Sequence, residues 1–376
     1  MKVWKAACLA AGAFALLASI PSEARELKAS VHLSPKNDTV ANGYVPFARY
    51  VEERSGGALK IKTFLGGALL GPKAAATGIR DGIADLGYVI MGYHPSEFPY
   101  GGAFLNDLAP IGTDPVAVTA ATNELVMLNC AGCLAEFKKQ GNVFTGVSAV
   151  SPMVIMSKQP VGSLEDLKGR KIRSAGAIWD RYITSVGAIP VNVPSSEQYE
   201  ALNRGVVEAI MHVPSSMKTY SLWDMAKDVT LLDLGVYRAI NTFAFNPKVW
   251  AGLKPDERRL LLEAASDANL DIAHGYIVTG EESLAESKQK GVSVHEPSPD
   301  IAAHLEKFLA DEIVAAEETS RAKHGIADAK ELIAKMSELN AKWEKLWAES
   351  GRDIAKFKET AKAEIVGKLD PAKYGL

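Results

Sequence analysis

Reactive side chains are plentiful in this 376-residue sequence, but their spacing matches no catalytic motif. Gly66–Lys73 (GGALLGPK) resembles a phosphate-binding loop, yet Pro72 precedes the lysine and no Ser or Thr follows it. Gly146–Val150 (GVSAV) contains the serine of a nucleophile elbow but lacks its last glycine. The seven histidines include no pair at metal-ligand spacing on one helix. We therefore expect a protein that is not an enzyme and that carries no cofactor or metal.

The pair Cys130 and Cys133 forms a CxxC sequence that requires separate consideration. Such a pair is a redox site when it opens a helix beside a thioredoxin-like strand. Here the pattern predicts a helix over Asn123–Lys138, which places both cysteines late in that helix. A structural disulfide or two buried thiols is the preferred interpretation, and the choice between these two stays open.

The first 24 residues have the pattern of a secretory signal peptide. Lys2 and Lys5 provide a positive start, an apolar run extends from Ala6 to Ile20, and Pro21–Ala24 ends in small residues. The apolar run is shorter than the roughly 20 residues that a permanent membrane span needs. We therefore expect residues 1–24 to be removed and the mature protein to reside in the periplasm.

Length and composition limit the remaining possibilities. About 350 residues remain after cleavage, more than one hydrophobic core usually serves, so two domains are expected. Hydrophobic residues make up 47% and charged residues 23%, as in globular proteins. The net charge of −3 and the lack of a long basic run argue against a nucleic-acid partner. No later stretch is apolar enough to insert directly into a membrane.

Strands and helices alternate along the chain, which predicts an α/β protein with parallel sheets. The first set has predicted strands at 27–33, 59–64 and 83–90, and predicted helices at 40–54 and 74–82. A second set begins near Ser151, with predicted strands at 153–157, 171–173, 191–193 and 207–211, and predicted helices at 164–167, 179–186 and 199–205.

The two sets predict two lobes that the chain connects twice. We expect crossings near Val150 and around Ile240–Asn246, which together form a hinge with a ligand cleft. Lobe 1 then contains residues 25–150 and about 240–275, and lobe 2 contains residues 151–239 and about 276–325.

The pattern becomes strongly helical from Pro255 onward. A helix from Pro255 to about Gln289 is about 50 Å long and is expected to span both lobes. A further helix is predicted over Asp300–His324, and residues 326–376 form a C-terminal helical extension. Apolar residues within Lys330–Ser350 suit either a dimer seam or packing on the chain's own body, and the second is preferred because two heptads are too short for a coiled coil.

An ordered series of segments resembles the TRAP (tripartite ATP-independent periplasmic) transporter substrate-binding proteins of the DctP type. The resemblance extends over about Leu27 to His324. The matching segments are Phe47–Gly57, Gly66–Gly71, Asp81–Gly87, Tyr93–Pro99, Asp166–Arg173, Gly187–Val191 and Glu197–Ala209.

The resemblance implies a two-lobed periplasmic-binding-protein fold that closes on a small organic acid and delivers it to the membrane permease subunits. C4-dicarboxylate transport is among the implied functions. The resemblance also implies that Arg173 anchors the ligand, since a guanidinium binds a carboxylate through two parallel hydrogen bonds. The alternative for Arg173 is an ordinary surface or interlobe ion pair. Some sugar-acid binders have a second arginine where this chain has Met153, which argues against a ligand that needs two guanidinium contacts.

Several other residues are candidates for the cleft. His212 occupies the position of an asparagine in many relatives, and either donates to a ligand oxygen or closes the lobe interface. Ser195 and Ser196 lie in a loop before a helix, where hydroxyl and backbone N–H donors favour the binding of an anion. The remaining candidates are the aromatic residues Trp179, Tyr88 and Tyr93, the loop residues Ser195 and Ser196, and the weaker pair His32 and Ser34.

Other functions remain open at this point. One is a periplasmic enzyme, for which no catalytic constellation is visible. Another is the ligand-binding subunit of an ABC importer or of a sensor, which would share the same lobes. The ligand of any of these receptors is also open, since an amine or a neutral solute is an alternative to an acid.

Overall fold

The computed structural model describes residues 24–174 and 176–376, so all but the last residue of the predicted signal peptide lie outside the described residues. Two sheets contain all the named strands of this part of the chain. The strands are β1 (Arg25–Ser30), β2 (Leu59–Phe64), β3 (Leu86–Ile90), β4 (Val154–Ser157), β5 (Lys171–Ser174), β6 (Ile189–Asn192), β7 (Ala209–His212), β8 (Asp228–Thr230), β9 (Ile240–Phe245) and β10 (Ser293–His295).

The helices flank both sheets and dominate the last third of the chain. They are α1 (Val45–Arg54), α2 (Ala75–Arg80), α3 (Leu105–Asp107), α4 (Pro115–Glu124), α5 (Ala131–Lys139), α6 (Leu164–Leu167), α7 (Ala177–Ser185), α8 (Gln198–Asn203), α9 (Ser216–Thr219), α10 (Pro247–Ala251), α11 (Pro255–Gln289), α12 (Pro299–His324), α13 (Ala329–Glu349) and α14 (Ile354–Glu364). Within the described ranges, no single helix is long and apolar enough to cross a membrane, although residues 115–129 and 131–139 pass that test as a pair bent by 83°.

The two sheets confirm the predicted α/β, two-lobed architecture. The first sheet has the order β2-β1-β3-β9, with β9 antiparallel to β3. The second has the order β10-β8-β4-β7-β5-β6, with β4 antiparallel to both β7 and β8. Both sheets are therefore mixed, and the prediction of purely parallel sheets is wrong. Strands β3 and β9 are buried along their whole length, as expected for sheets covered on both faces by helices. The boundaries assigned to the lobes from sequence remain a prediction.

Two extended segments connect the sheets and run side by side. The amide of Val150 donates to the carbonyl of Tyr237 at 3.1 Å, which joins the segments midway. The first connection lies near Val150, as expected. The second precedes the predicted position, because Ile240–Phe245 is β9 itself. Its six residues are all buried and pair with β3, so this apolar run belongs to the first sheet rather than to the connection.

Helix α11 spans both lobes, as predicted from its length and periodicity. Its 35 residues correspond to about 52 Å at 1.5 Å per residue. Thr279 donates to a carboxylate oxygen of Asp38, beside the first sheet, at 2.6 Å. One turn further on, Ser283 donates to the carbonyl of Pro214, beside the second sheet, at 3.1 Å. The helix therefore provides a common support for the two lobes.

The C-terminal extension packs on the chain's own body, which was the preferred interpretation. Helix α13 lies against α4 and buries Leu332, Met336, Leu339 and Trp343. Helix α14 contacts α11, and Lys358 reaches Asp271 at 2.5 Å. The apolar positions that suggested a dimer seam are thus already covered within one chain.

The predicted helix over Asn123–Lys138 is wrong. Helix α4 ends at Glu124, a π-helical turn spans Leu125–Asn129, and α5 begins at Ala131. The Asn129 side chain donates to the carbonyl of Glu124 at 3.0 Å, which satisfies a group left free where α4 ends. Cys130 has a non-helical backbone and caps α5, with its sulfur accepting from the Cys133 amide at 3.1 Å.

Cys130 and Cys133 form a disulfide at the start of α5. This position is the one that redox CxxC pairs occupy, contrary to the expectation that the pair lies late in a helix. However, both cysteines are buried within the core. Because thiol exchange requires an accessible sulfur, burial favours a structural role, in line with the preferred interpretation.

Candidate ligand-binding site

A small cavity lies between the two lobes, with a volume of about 40 Å³. Its lining comes from both sheets, from the connecting segments and from α11. The lining residues are Leu33, Asn37, Tyr88, Ile90, Tyr93, Val150, Met153, Arg173, Ser195, His212, Val213, Tyr220, Tyr237, Ile240 and Tyr276. Aromatic and aliphatic side chains dominate this set, as in many small-molecule sites.

Arg173 is the only positively charged arginine or lysine in the cavity lining. It lies near the end of β5, and only 1% of its surface is exposed. Its Nε donates to the carbonyl of Val193 at 2.8 Å, and its Nη1 donates to the carbonyl of Met211 at 3.1 Å. These two bonds hold the guanidinium in place from β6 and β7.

The charge of Arg173 is not neutralised by a direct ion pair. Within the described ranges, no carboxylate lies within 4.0 Å of this guanidinium, and its hydrogen-bond acceptors are the two backbone carbonyls. A buried charge held only by neutral carbonyls is costly unless an anion accompanies it. The arrangement therefore favours a carboxylate in the cavity.

The turn after β5 positions Arg173 and the helix that follows. Gly176 has φ 152°, a conformation that favours glycine, and a Cβ there would approach Nδ2 of Asn106 to 2.9 Å. The glycine thus permits close contact between the start of α7 and the segment that follows β3. As a result, the two lobes touch beside the cavity.

His212 lies at the end of β7 and contributes polarity without charge. Its Nδ1 forms a hydrogen bond with the Ser216 hydroxyl. Burial, together with the nearby Arg173 charge, holds the pKa of His212 well below the usual value. The imidazole is therefore neutral near pH 7, so it offers a hydrogen bond from Nε2 but no second positive charge.

Five tyrosines surround the cavity, and they differ in how their hydroxyls are satisfied. The Tyr93 hydroxyl accepts from the Ser195 amide at 3.2 Å, which joins the two lobes directly. The Tyr276 hydroxyl contacts Thr39 at 3.1 Å. By contrast, the buried hydroxyls of Tyr220 and Tyr237 have no hydrogen-bond partner among the described residues. Since an unpaired buried hydroxyl costs about 1–3 kcal/mol, these two groups are suited to polar atoms of a ligand.

The structure brings most of the sequence-predicted residues together. Arg173, His212, Tyr88, Tyr93 and Ser195 all line the cavity. Arg173 was predicted either to anchor the ligand or to form a surface or interlobe ion pair. The surface ion pair is excluded, because the side chain is buried.

Four predicted residues lie outside the lining. Trp179 is fully buried on α7 and packs behind Tyr237, with ring centroids 5.2 Å apart, so it belongs to the core. Ser196 is exposed, because the turn at Ser195 directs only the first of the two serines inward. His32 is buried behind Tyr88 at 5.5 Å, and the hydroxyl of the neighbouring Ser34 is buried as well.

Sequence reasoning missed Asn37, Tyr220, Tyr237 and Tyr276. Tyr237 lies in the second connecting segment, which precedes the crossing predicted at Ile240–Asn246, so the misplaced crossing concealed this residue. Tyr276 lies on the middle of α11, where the spanning helix passes the hinge. No local spacing distinguishes Asn37 or Tyr220 from other polar and aromatic residues.

The described residues contain no group of three or more histidine, cysteine, aspartate or glutamate side chains arranged to hold a metal ion. The geometry of the cavity instead offers one fixed cation, neutral hydrogen-bonding groups and aromatic walls. This combination can bind an organic anion, and it presents no paired acid and base for catalysis.

Comparisons with known proteins agree with this geometry. The model of the family described as bacterial extracellular solute-binding protein, family 7 (DctP), matches residues 30–318. The C4-dicarboxylate-binding periplasmic protein DctP of Rhodobacter capsulatus is 24% identical over 81% of this chain and 90% of its own length.

Solved structures have the same fold. A TRAP periplasmic solute-binding protein from Desulfovibrio salexigens is 26% identical, with a TM-score of 0.68 over 85% of this chain and 96% of that chain. A TRAP solute-binding protein from Rhodoferax ferrireducens, in complex with copurified benzoate, is 20% identical, with a TM-score of 0.75 over 86% of this chain and 99% of that chain. The family match covers most of the chain, and the chain therefore belongs to the bacterial extracellular solute-binding proteins of family 7.

Proposed function

We propose that this protein is the periplasmic receptor of a TRAP transporter, which captures a small organic acid and delivers it to an ion-gradient-driven membrane permease. The observation that carries the proposal is the buried Arg173 guanidinium, which faces the interlobe cavity without a carboxylate partner in the described part of the chain. A ligand carboxylate completes this arrangement through charge-assisted hydrogen bonds.

The ligand class follows from the remaining lining. Arg173 supplies one positive charge, and the neutral His212 supplies none, so the site suits a single carboxylate. A second carboxylate, as in a C4-dicarboxylate, would enter the cavity without a cationic partner at a cost in desolvation. The five tyrosines favour a compact ring or apolar body. We therefore propose a ring-containing monocarboxylate, and the benzoate held by the Rhodoferax relative is an example of this chemistry.

Binding is proposed to proceed by closure of the lobes about the two connecting segments. The carboxylate first pairs with Arg173 on the second lobe, and the first lobe then brings Tyr88 and Tyr93 against the ligand. The bond between Tyr93 and the Ser195 amide, at 3.2 Å, forms only when the lobes meet. The ligand stabilises the closed state by the difference between its affinities for the two states.

Calorimetric titration of the mature protein tests the proposal. The ligands are benzoate, phenylacetate and pyroglutamate, with succinate, benzylamine and benzyl alcohol for comparison. We expect a ring monocarboxylate to bind most tightly, and Arg173→Ala to weaken it roughly 100-fold, since two charge-assisted hydrogen bonds are lost.

Arg170→Ala is the matched control. Arg170 lies three residues earlier and donates to the carbonyls of Gln159 and Pro160, away from the cavity. We expect its affinity to equal that of the wild type. Unchanged acid binding by Arg173→Ala would overturn the assignment of Arg173 as the ligand anchor. Selective binding of benzylamine or benzyl alcohol would overturn the proposal that the ligand is an acid.

A further inference from the structure

A second and larger concave surface lies outside the ligand cavity. We call it the α11–α12 groove, and its volume is about 860 Å³. It crosses both connecting segments, at Ser151–Pro152 and at Leu231–Asp233, and its long walls are α11 and α12. None of its lining residues belongs to the ligand cavity, so the proposed function leaves this groove unexplained.

The two walls present similar faces. On α11, Ile277, Gly280 and Leu284 recur at intervals of three and four residues. On α12, the lining residues Ala302, Leu305 and Leu309 recur at the same intervals. Side chains at this spacing lie on one side of a helix, so each wall shows an apolar stripe with a small residue in it. Two such stripes form a channel of the kind that accepts a third helix.

The rim of the groove is strongly acidic. Asp233, Glu281, Glu296 and Glu306 lie at its edges, all four are exposed, and none of them forms an ion pair with a described residue. Arg352 is the only cation in the lining, and its guanidinium already lies 3.6 Å from the carboxylate of Asp114. The unpaired charge around the apolar floor is therefore negative.

One polar group in the floor also lacks a partner. The Ser151 side chain is 7% exposed and lines the groove, and its hydroxyl forms no hydrogen bond within residues 24–174 and 176–376. A bound segment that brings an amine or a carbonyl to this point would satisfy it.

We propose that the α11–α12 groove is a docking site for a basic amphipathic helix of a partner protein. The apolar face of such a helix covers Ile277, Leu284 and Leu305, while its lysines or arginines pair with the rim carboxylates. Charge complementarity of this kind directs association and sets the orientation of the partner. Because the groove contains both connecting segments, the partner contacts the hinge rather than the mouth of the ligand cavity.

The test measures fluorescence anisotropy of a labelled leucine–lysine amphipathic helix, about three turns long, added to the mature protein. We expect saturable binding to the wild type, and a loss of at least tenfold in affinity for the double variant Glu281→Lys/Glu306→Lys. An isosteric leucine–glutamate helix is expected not to bind.

The matched control is Glu282→Lys/Glu317→Lys. These glutamates are exposed on the same two helices but do not line the groove, so the net charge changes equally. We expect the control to retain most of the wild-type affinity, and circular dichroism to show that both variants are folded. Equal losses in the two variants, or no saturable binding to the wild type, would overturn the proposal.

Discussion

At the scale of single residues, burial controls the charges of the site. The Arg173 guanidinium is buried and donates to two backbone carbonyls. The same burial and the Arg173 charge keep His212 neutral, since both disfavour a second cation. One arginine and one neutral imidazole in the cavity lining are the basis of the proposed preference for a single carboxylate.

His32 provides a prediction on pH. Burial lowers the pKa of this histidine to about 4, whereas an unfolded chain takes up the proton near 6.5. The unfolded state therefore binds more protons between pH 6.5 and 4, and the free energy of unfolding falls as the pH falls through this window, by about 3 kcal/mol from His32. We expect His32→Phe to remove this part of the decline, measured by urea denaturation at pH 7 and pH 4.

The quantity to compare is the difference in unfolding free energy between His32→Phe and the wild type at each pH. Burial raises the pKa of Glu136 to about 7, and a raised carboxyl pKa has the opposite effect, stabilising the fold as the pH falls. A His32→Phe curve parallel to that of the wild type would contradict the assignment.

At the scale of elements, the C-terminal helices are attached through buried polar contacts as well as apolar packing. The carboxylate of Glu124, at the end of α4, accepts from Nε1 of Trp343 at 2.7 Å and from Nζ of Lys342 at 2.8 Å. Trp347 reaches Asp114, the residue that caps the start of α4, at 3.0 Å. The two ends of α4 thus hold α13 in a single register.

Glu124→Ala is predicted to loosen this attachment. It leaves the indole N–H of Trp343 buried without an acceptor, which costs about 1–3 kcal/mol of unfolding free energy. Urea denaturation followed by tryptophan fluorescence measures the change, and limited proteolysis reports whether α13 and α14 become accessible. Glu124→Gln retains an acceptor for the Trp343 indole and is expected to lose less stability than Glu124→Ala. Equal losses of stability in the two variants would exclude a role for the hydrogen bonds of Glu124.

At the scale of the whole molecule, a charged cluster connects the lobes beside the hinge. Asp107 on α3 contacts Nη2 of Arg181 on α7 at 2.8 Å and Nε2 of His324 on α12 at 3.0 Å. Arg181 also pairs with Glu312 of α12. The segment after the first sheet is thereby joined to a helix of the second sheet, and α12 contacts both.

Asp107→Ala is predicted to weaken the connection between the lobes. The Asp107 side chain is only 1% exposed. Removing one partner of a buried ion pair lowers the free energy of unfolding by about 3–5 kcal/mol. The loss is expected to be smaller here, because Arg181 is partly solvated. Denaturation measures the stability, and solution X-ray scattering is expected to show a larger radius of gyration.

An exposed pair on the same helix is the control for this prediction. Asp311→Ala removes the partner of Lys307, which lies on the surface of α12, and is expected to cost less than about 1 kcal/mol. If Asp107→Ala behaves like this control, the cluster does not couple the lobes.

Periodicity along the chain was sufficient to determine many elements. The strand Leu59–Phe64 has the predicted bounds because its residues alternate, and the 35-residue helix Pro255–Gln289 has them because a proline marks its start. The short helix Leu164–Leu167 also has the predicted bounds. The helix predicted from Val40 begins as a π-helical turn, and its α-helical part starts only at Val45. Pro46 lacks the amide hydrogen that a continuous α-helix needs there.

Some residues of the candidate site could be identified from the sequence, and others only from the tertiary structure. Arg173 was named as a candidate by the family resemblance, since its own strand also contains Lys171 and Ser174 and does not set it apart. Whether Trp179 or Tyr237 lines the cavity depends on which side of α7 faces the connecting segments, and only the packed molecule decides this. The α11–α12 groove was likewise invisible in sequence, because its walls are apolar stripes of two helices that become one surface only when the lobes are assembled. Sequence alone therefore predicted many of the elements and named Arg173 as a candidate, and tertiary packing decided which side chains share a cavity, since that depends on contacts between residues far apart in the chain.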